Sequence, residues 1–190
     1  NNTEVFDYPQ LNVAVLRNIM LEPVELYLRH FGHKAGLNCE VHFGEYDNIF
    51  QEAVGGHSRL LNRDTDCVLV FMILDLLSWD LSRNFASLNN SQVENELERI
   101  REHINIIIEG IRRQTDAMIL WHAFEIPLNP SLGIWDSQAD DGQIASIRIL
   151  NEFLRARLRE TPNAFFVDTN LVMARIGLER FYDHRYWHIG

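Results

Sequence analysis

The chain has 190 residues, 46% of them hydrophobic, which fits one domain over residues 1–190 with a sizeable core. Its formal net charge is -10, so its surface would repel nucleic-acid phosphate at long range, and a nucleic-acid partner is not expected. No apolar run reaches the roughly 18 residues that a membrane span needs, and the first ten residues lack the basic-then-apolar order of a signal peptide, so neither membrane nor export is expected.

Leu11 to Leu16 is an apolar run that predicts a first strand. Pro23 to Ala35 predicts a helix, with Val24, Tyr27, Leu28 and Phe31 at helical spacing and Gly36 as its stop. Cys39 to Phe43 alternates as a second strand does, and Asn48 to Val54 reads as a short helix capped by Asp47. Cys67 to Leu74 is a continuous β-rich apolar run, the pattern of a strand buried on both faces. A long helix follows, with Val93, Leu97, Ile100, Ile104, Ile107 and Ile111 at steps of three and four. Ala117 to Phe124 predicts a fourth strand, Gln143 to Leu158 a helix, Ala164 to Val167 a fifth strand and Leu171 to Ile176 a last short helix. Strands alternating with helices imply an α/β, three-layer sandwich around a five-stranded parallel sheet of order 2-1-3-4-5.

Ligands of an open parallel sheet bind at the carboxyl ends of its strands. Those ends carry Arg17 and Asn18, Gly44 and Glu45, Asp75, His122 and Glu125, and Asp168 with Asn170. His122 and Asp75 stand out, because each follows a strongly apolar strand. The stretch YDHRYWHIG adds Asp183, His184 and His188. His184 and His188 are four residues apart, yet no third ligand is placed, so no metal site is expected, and no cofactor is expected in this domain. Asp64-Thr65-Asp66 resembles a phosphoryl-transfer DxD but precedes its strand rather than ending one. The His57-Ser58 pair reads as a turn, and Trp79 as either a lid anchor or a packing residue. Cys39 and Cys67 sit in or beside apolar strands, which predicts buried free thiols and a reducing, cytoplasmic setting.

The stretches LNVAVLRNIMLEPVELYLR, VHFGEYDNIFQEAV, ILWHAFEIPLNPSLGIWDSQADDGQIASIRILN and RIGLERFYDHRYWHIG, taken in order, resemble the N-terminal domain of FkbH-like proteins. The resemblance covers essentially the whole chain. It implies an SGNH (GDSL-type) hydrolase-like fold with a flavodoxin-like strand order. It also implies that this chain is the N-terminal part of a longer protein, ahead of a phosphatase-like domain of the haloacid dehalogenase type (subfamily IIIC). Such proteins prepare glyceryl or acyl units on acyl carrier protein in polyketide or surface-polysaccharide pathways. An SGNH hydrolase places Ser after strand one, Gly after strand two, Asn after strand three, and an Asp and His near its end. Asn18 falls at the Ser position, Gly44 at the Gly and Asp75 near the Asn, while Asp183 with His184 or His188 stands at the acid–base end with altered spacing.

No Ser, Thr or Cys lies between Val13 and Glu25, and an Asn amide is not an acyl nucleophile. The expectation is therefore a non-hydrolytic recognition or docking domain. In it Arg17 holds a small anionic three-carbon ligand, Asn18 and His122 add hydrogen bonds, and acyl carrier protein and the phosphatase-like domain are partners. Two alternatives stay open. One is an active esterase or acyltransferase with His188 as base and water or a substrate thiol as attacking group. The other is structural: the cleft is filled and the domain mediates only self-association. Within the docking reading, Arg17 is either the anchor of the ligand or an ion-pair residue beside Glu22 or Asp75.

Overall fold

The computed structural model describes residues 8–56, 58–177 and 180. In chain order these form β1 (Gln10–Arg17), α1 (Glu22–Lys34), β2 (Asn38–Phe43), α2 (Ile49–Val54), β3 (Cys67–Phe71), α3 (Leu74–Leu77) and α4 (Trp79–Arg83). There follow α5 (Asn90–Gln114), β4 (Met118–His122), α6 (Gln143–Glu160), β5 (Ala164–Val167) and α7 (Thr169–Ile176). The five strands pair in parallel throughout, in the order β2-β1-β3-β4-β5, as the alternation of strands and helices predicts. Strand order reverses beside β1, so the carboxyl ends of β1 and β3 flank the switch point.

The core is lopsided. One sheet face presents Ala14, Leu16, Val68, Val70, Ile119 and Trp121 to α2, α5 and α6. The predicted stripe of α5 is buried along its full length, with Ile100, Ile104 and Ile111 wholly out of solvent. Its start is fixed by a capping box in which the Asn89 side chain accepts from Gln92 N–H and the Gln92 side chain accepts from Asn89 N–H. A β-carbon at Gly110 would lie 2.3 Å from the Ala53 carbonyl oxygen, so only glycine lets α5 approach the end of α2. Gln114 then donates to the Glu52 and Ala53 carbonyls, two of those α2 leaves open at its C-terminal end. Arg112 donates to the carbonyls of Thr115, Ala117, Pro162 and Asn163, stapling the start of β4 to that of β5.

The opposite face is thinly covered. Val13, Val15, Val41, Cys67 and Leu69 pack beneath Leu21, Val24 and Leu28 at the start and along one side of α1. No residue of α1 is fully buried, and Tyr27 and Phe31, on the predicted stripe, are 65% and 60% exposed. At the sheet's other edge Phe165 of β5 is 52% exposed.

Two local expectations change. Asp47 does not cap α2: it takes a left-handed conformation with φ of 54° and its N–H donates to the Arg17 carbonyl, leaving Asn48 as the first-turn flank. Two short helices, α3 and α4, stand between β3 and the long helix, and Trp79 on α4 is 66% exposed. Ser58 is hydrogen-bonded to the Glu52 carboxylate and to the N–H groups of Leu60 and Leu61, a turn as expected, while His57 lies outside the described residues. Asp66 accepts from the N–H of Asn12 at the amino-terminal edge of the sheet, the wrong edge for a phosphoryl-transfer aspartate. Cys39 and Cys67 are buried free thiols, and burial pushes Cys67 up to about 11, far from a reactive thiolate.

Candidate functional site

At the carboxyl edge, Arg17 ends β1 with its side chain almost wholly buried. Its Nη1 lies 2.7 Å from Glu22 Oε1, its Nε points at the Gly44 carbonyl at 3.4 Å, and its guanidinium lies over the Phe43 ring at 4.9 Å. The hydrogen bond from Arg17 holds the exposed Glu22 carboxyl below its usual range. Arg17 is thus paired with Glu22, while Asp75 is paired with Arg83. Gly44 extends the β1–β2 ladder: its N–H donates to the Val15 carbonyl at 2.9 Å. A side chain there would crowd Leu60 and that same carbonyl, both 3.3 Å from the position of a β-carbon.

The turn that leaves β3 explains the next two residues. β3 ends at Phe71, so the backbone groups of buried Met72 and half-buried Ile73 lose ladder partners. Side chains from the two flanking strands replace them. The Asn18 amide accepts from Ile73 N–H at 2.9 Å and donates to the Ile73 carbonyl at 3.2 Å. His122 Nε2 accepts from Met72 N–H at 3.1 Å, and its Nδ1–H donates to the Ala123 carbonyl at 2.7 Å. This fixes a neutral tautomer. Burial pushes His122 down to about 4, against the opposing effect of the Ala123 bond. Asn18 and His122 therefore face each other across the turn as backbone clamps, rather than as groups aimed outward.

The loop after β4 is held in the same way. Asn151 accepts from Phe124 N–H and donates to the Phe124 carbonyl, while Asn170 accepts from Ile126 N–H and donates to that same carbonyl. Between these two clamps sits Glu125. Burial raises its carboxyl to about 7, against hydrogen bonds from its own N–H and that of Leu74, with Asp75 adding to the rise. Its Oε1 is 3.9 Å from His122 Nδ1.

Glu125, Asp75, Ser82 and Arg83 line a cavity of about 240 Å³ at the ends of β3 and β4, with Gln143 and Ile147 of α6 behind them. Asp75, at the start of α3, accepts two bonds through Oδ2 from Arg83 Nε and Nη2, at 2.8 and 2.6 Å. The Ser82 hydroxyl is buried and, among the described residues, has no hydrogen-bond partner.

The strand-end pattern thus brings Asp75 and Glu125 to one cavity, while Arg17 and Gly44 sit together on the other side of the Asn18 clamp. Arg83 and Ser82 were not legible, because they reach the cavity only through the turn between α3 and α4. Asp183, His184 and His188 lie outside the described residues. Among the described residues no three His, Cys, Asp or Glu side chains gather as a metal site, and no helix is long and apolar enough to cross a membrane.

Among solved structures, the chain is similar to the N-terminal part of the protein BF1531 from Bacteroides fragilis, described as containing a phosphatase domain complexed with Mg. The TM-score is 0.77 at 16% identity, over 95% of this chain and 46% of that one. At that identity the likeness shows the fold, and the chain spans about half the length of its neighbour. No curated protein matches the sequence. The family described as FkbH, N-terminal domain, matches residues 12–188. With that match running from β1 almost to Gly190, the chain belongs to the FkbH N-terminal domain family.

Proposed function

We propose that this chain is the recognition or docking domain of a longer FkbH-like protein, built on an SGNH-like scaffold that does not hydrolyse esters. One observation carries the reading. At the end of β1, where such a scaffold needs a nucleophile and oxyanion donors, the Asn18 amide is bound to Ile73 and the Gly44 N–H is bound to Val15. Acyl transfer by the covalent route needs an activated hydroxyl or thiol and unengaged donors aimed at the developing oxyanion.

The likeness to part of a protein described as containing a phosphatase domain supports placing the chemistry in another domain of the same polypeptide. Family membership supports a part in loading glyceryl or acyl units onto acyl carrier protein, in polyketide or surface-polysaccharide biosynthesis, with that carrier as a partner. The buried, unbridged cysteines favour a cytoplasmic setting. The Arg17–Glu22 pair favours a structural part for Arg17 over an anchor for a small anion, and the cavity beside Asp75 is the better place for a ligand.

The test is turnover of short acyl esters by the unmodified chain. No rate above buffer is expected. Clear hydrolysis that His188→Ala abolishes would overturn the reading and establish an esterase instead.

A further inference from the structure

The cavity beneath the ends of β3 and β4 has an unusual set of unspent groups. Gln143 is saturated: its amide nitrogen donates to the Leu81 and Ser82 carbonyls, and its oxygen accepts from the N–H and hydroxyl of Ser131. Asp75 spends only Oδ2, on Arg83, and among the described residues its Oδ1 accepts no hydrogen bond. Among the described residues the buried Ser82 hydroxyl has no partner, a costly state for a group that water or another hydroxyl would satisfy. Glu125 is held on the wall by the clamped loop after β4.

The charge balance narrows what fits. Arg83 already neutralises Asp75, so the pair offers little net field to an ion. An anion would gain little from an Arg83 whose charge Asp75 already offsets. A cation would find one neutralised carboxylate and one carboxyl that burial keeps largely protonated up to about pH 7. Leu74, Leu128 and Ile147 give the rest of the wall an apolar surface suited to a carbon skeleton.

We propose that this cavity binds a small uncharged molecule bearing two neighbouring hydroxyl groups, which donate to carboxyl oxygens of Asp75 and Glu125 and accept from the Ser82 hydroxyl. The proposal rests on reading this edge as a binding site rather than a hydrolytic one. Two hydroxyls suit two carboxyl groups on one cavity wall, and each hydroxyl both donates and accepts, as the Ser82 hydroxyl requires.

The experiment is a titration of the isotope-labelled full chain with erythritol, followed by backbone NMR shifts. Two comparison ligands are 1,4-butanediol, which lacks neighbouring hydroxyls, and 1,4-diaminobutane, which is a cation. Erythritol is expected to bind saturably, with shifts centred on residues 73–75, 82–83 and 125, and more tightly than butanediol. Ser82→Ala, which removes no bond the fold uses, is expected to weaken it about fivefold, the loss of one hydrogen bond. Glu125→Leu, whose spectrum shows whether the fold is kept, is expected to weaken it further. The proposal is overturned by no saturable response to erythritol, which would leave water as the occupant. It is equally overturned by binding that Ser82→Ala leaves unchanged, or by a response to the diamine alone. Ester turnover measured on the same sample reports separately on the non-hydrolytic reading.

Discussion

Glu125→Gln should change stability in a way that depends strongly on pH, and should uncover an opposing effect of His122. Folded Glu125 keeps its proton up to about pH 7, while the unfolded chain releases it near the ordinary 4.5. The folded state therefore binds more protons between those values, and stability falls as pH rises through that window. His122 behaves oppositely. It is neutral in the fold down to about 4 and protonates near 6.5 when unfolded, so its contribution to stability rises with pH from about 4 to 6.5. Each displacement corresponds to roughly 3 kcal/mol. The two slopes nearly cancel, and between about pH 4 and 7 the facing pair is uncharged on both sides. Chemical denaturation of the parent from pH 4.5 to 6.5 should show little slope from this pair. Glu125→Gln keeps an acceptor for the Leu74 N–H and removes the titration. Its stability should match the parent near pH 4.5 and exceed it at pH 8 by about 3 kcal/mol, with a visible rise between. An equal difference at both pH values, or none, would refute a buried, proton-retaining Glu125.

Three further outcomes follow from the packing. Asn18→Ser should show no ester hydrolysis, and should lose roughly 1–3 kcal/mol of stability because a serine cannot both accept from Ile73 N–H and reach its carbonyl; gain of activity would contradict the clamp. Leu97→Asp should unfold the domain, since Leu97 is 3% exposed and a buried, unpaired carboxylate costs several kcal/mol against a total of about 5–15; circular dichroism matching the parent's melt would remove α5 from the core. Arg112→Met should lower the melting temperature through four lost bonds to carbonyls, at about 2–4 kcal/mol in all, and hydrogen exchange at the starts of β4 and β5 should rise with it.

The strands and long helices were legible because each buries a face whose period the sequence displays. Val93 to Ile111 repeats at helical spacing, and its residues are buried accordingly. Cys67 to Leu74 reads as doubly covered; the strand stops at Phe71, and four of its five residues are buried. The Tyr27 and Phe31 stripe misleads because periodicity reports which side is apolar and not whether a neighbour covers it. At the site, residue type located Asn18, His122 and Asp75 at strand ends but not the direction in which each side chain turns. That direction is set by Met72 and Ile73, whose backbone demands partners once β3 stops. Glu125 looked like one strand-end carboxylate among several, because burial by the clamped loop has no signature in local sequence. The Asp75–Arg83 pair depends on two short helices that carry no periodic signal.

The uneven covering of the sheet ranks the motions of the molecule. Local opening is least costly where few apolar side chains leave water, and α1 buries none fully, whereas α5 buries eight residues. Of these two helices, α1 is the one expected to lift at the lower cost. That helix carries Glu22 in its opening turn, so the same excursion strips Arg17 of its counter-ion. A guanidinium that is neutralised in the resting state becomes a bare positive charge at the strand-order switch for as long as the helix is raised. The charge at this edge is thus coupled to the seating of α1, whose outward Tyr27 and Phe31 are the part of that helix left in solvent.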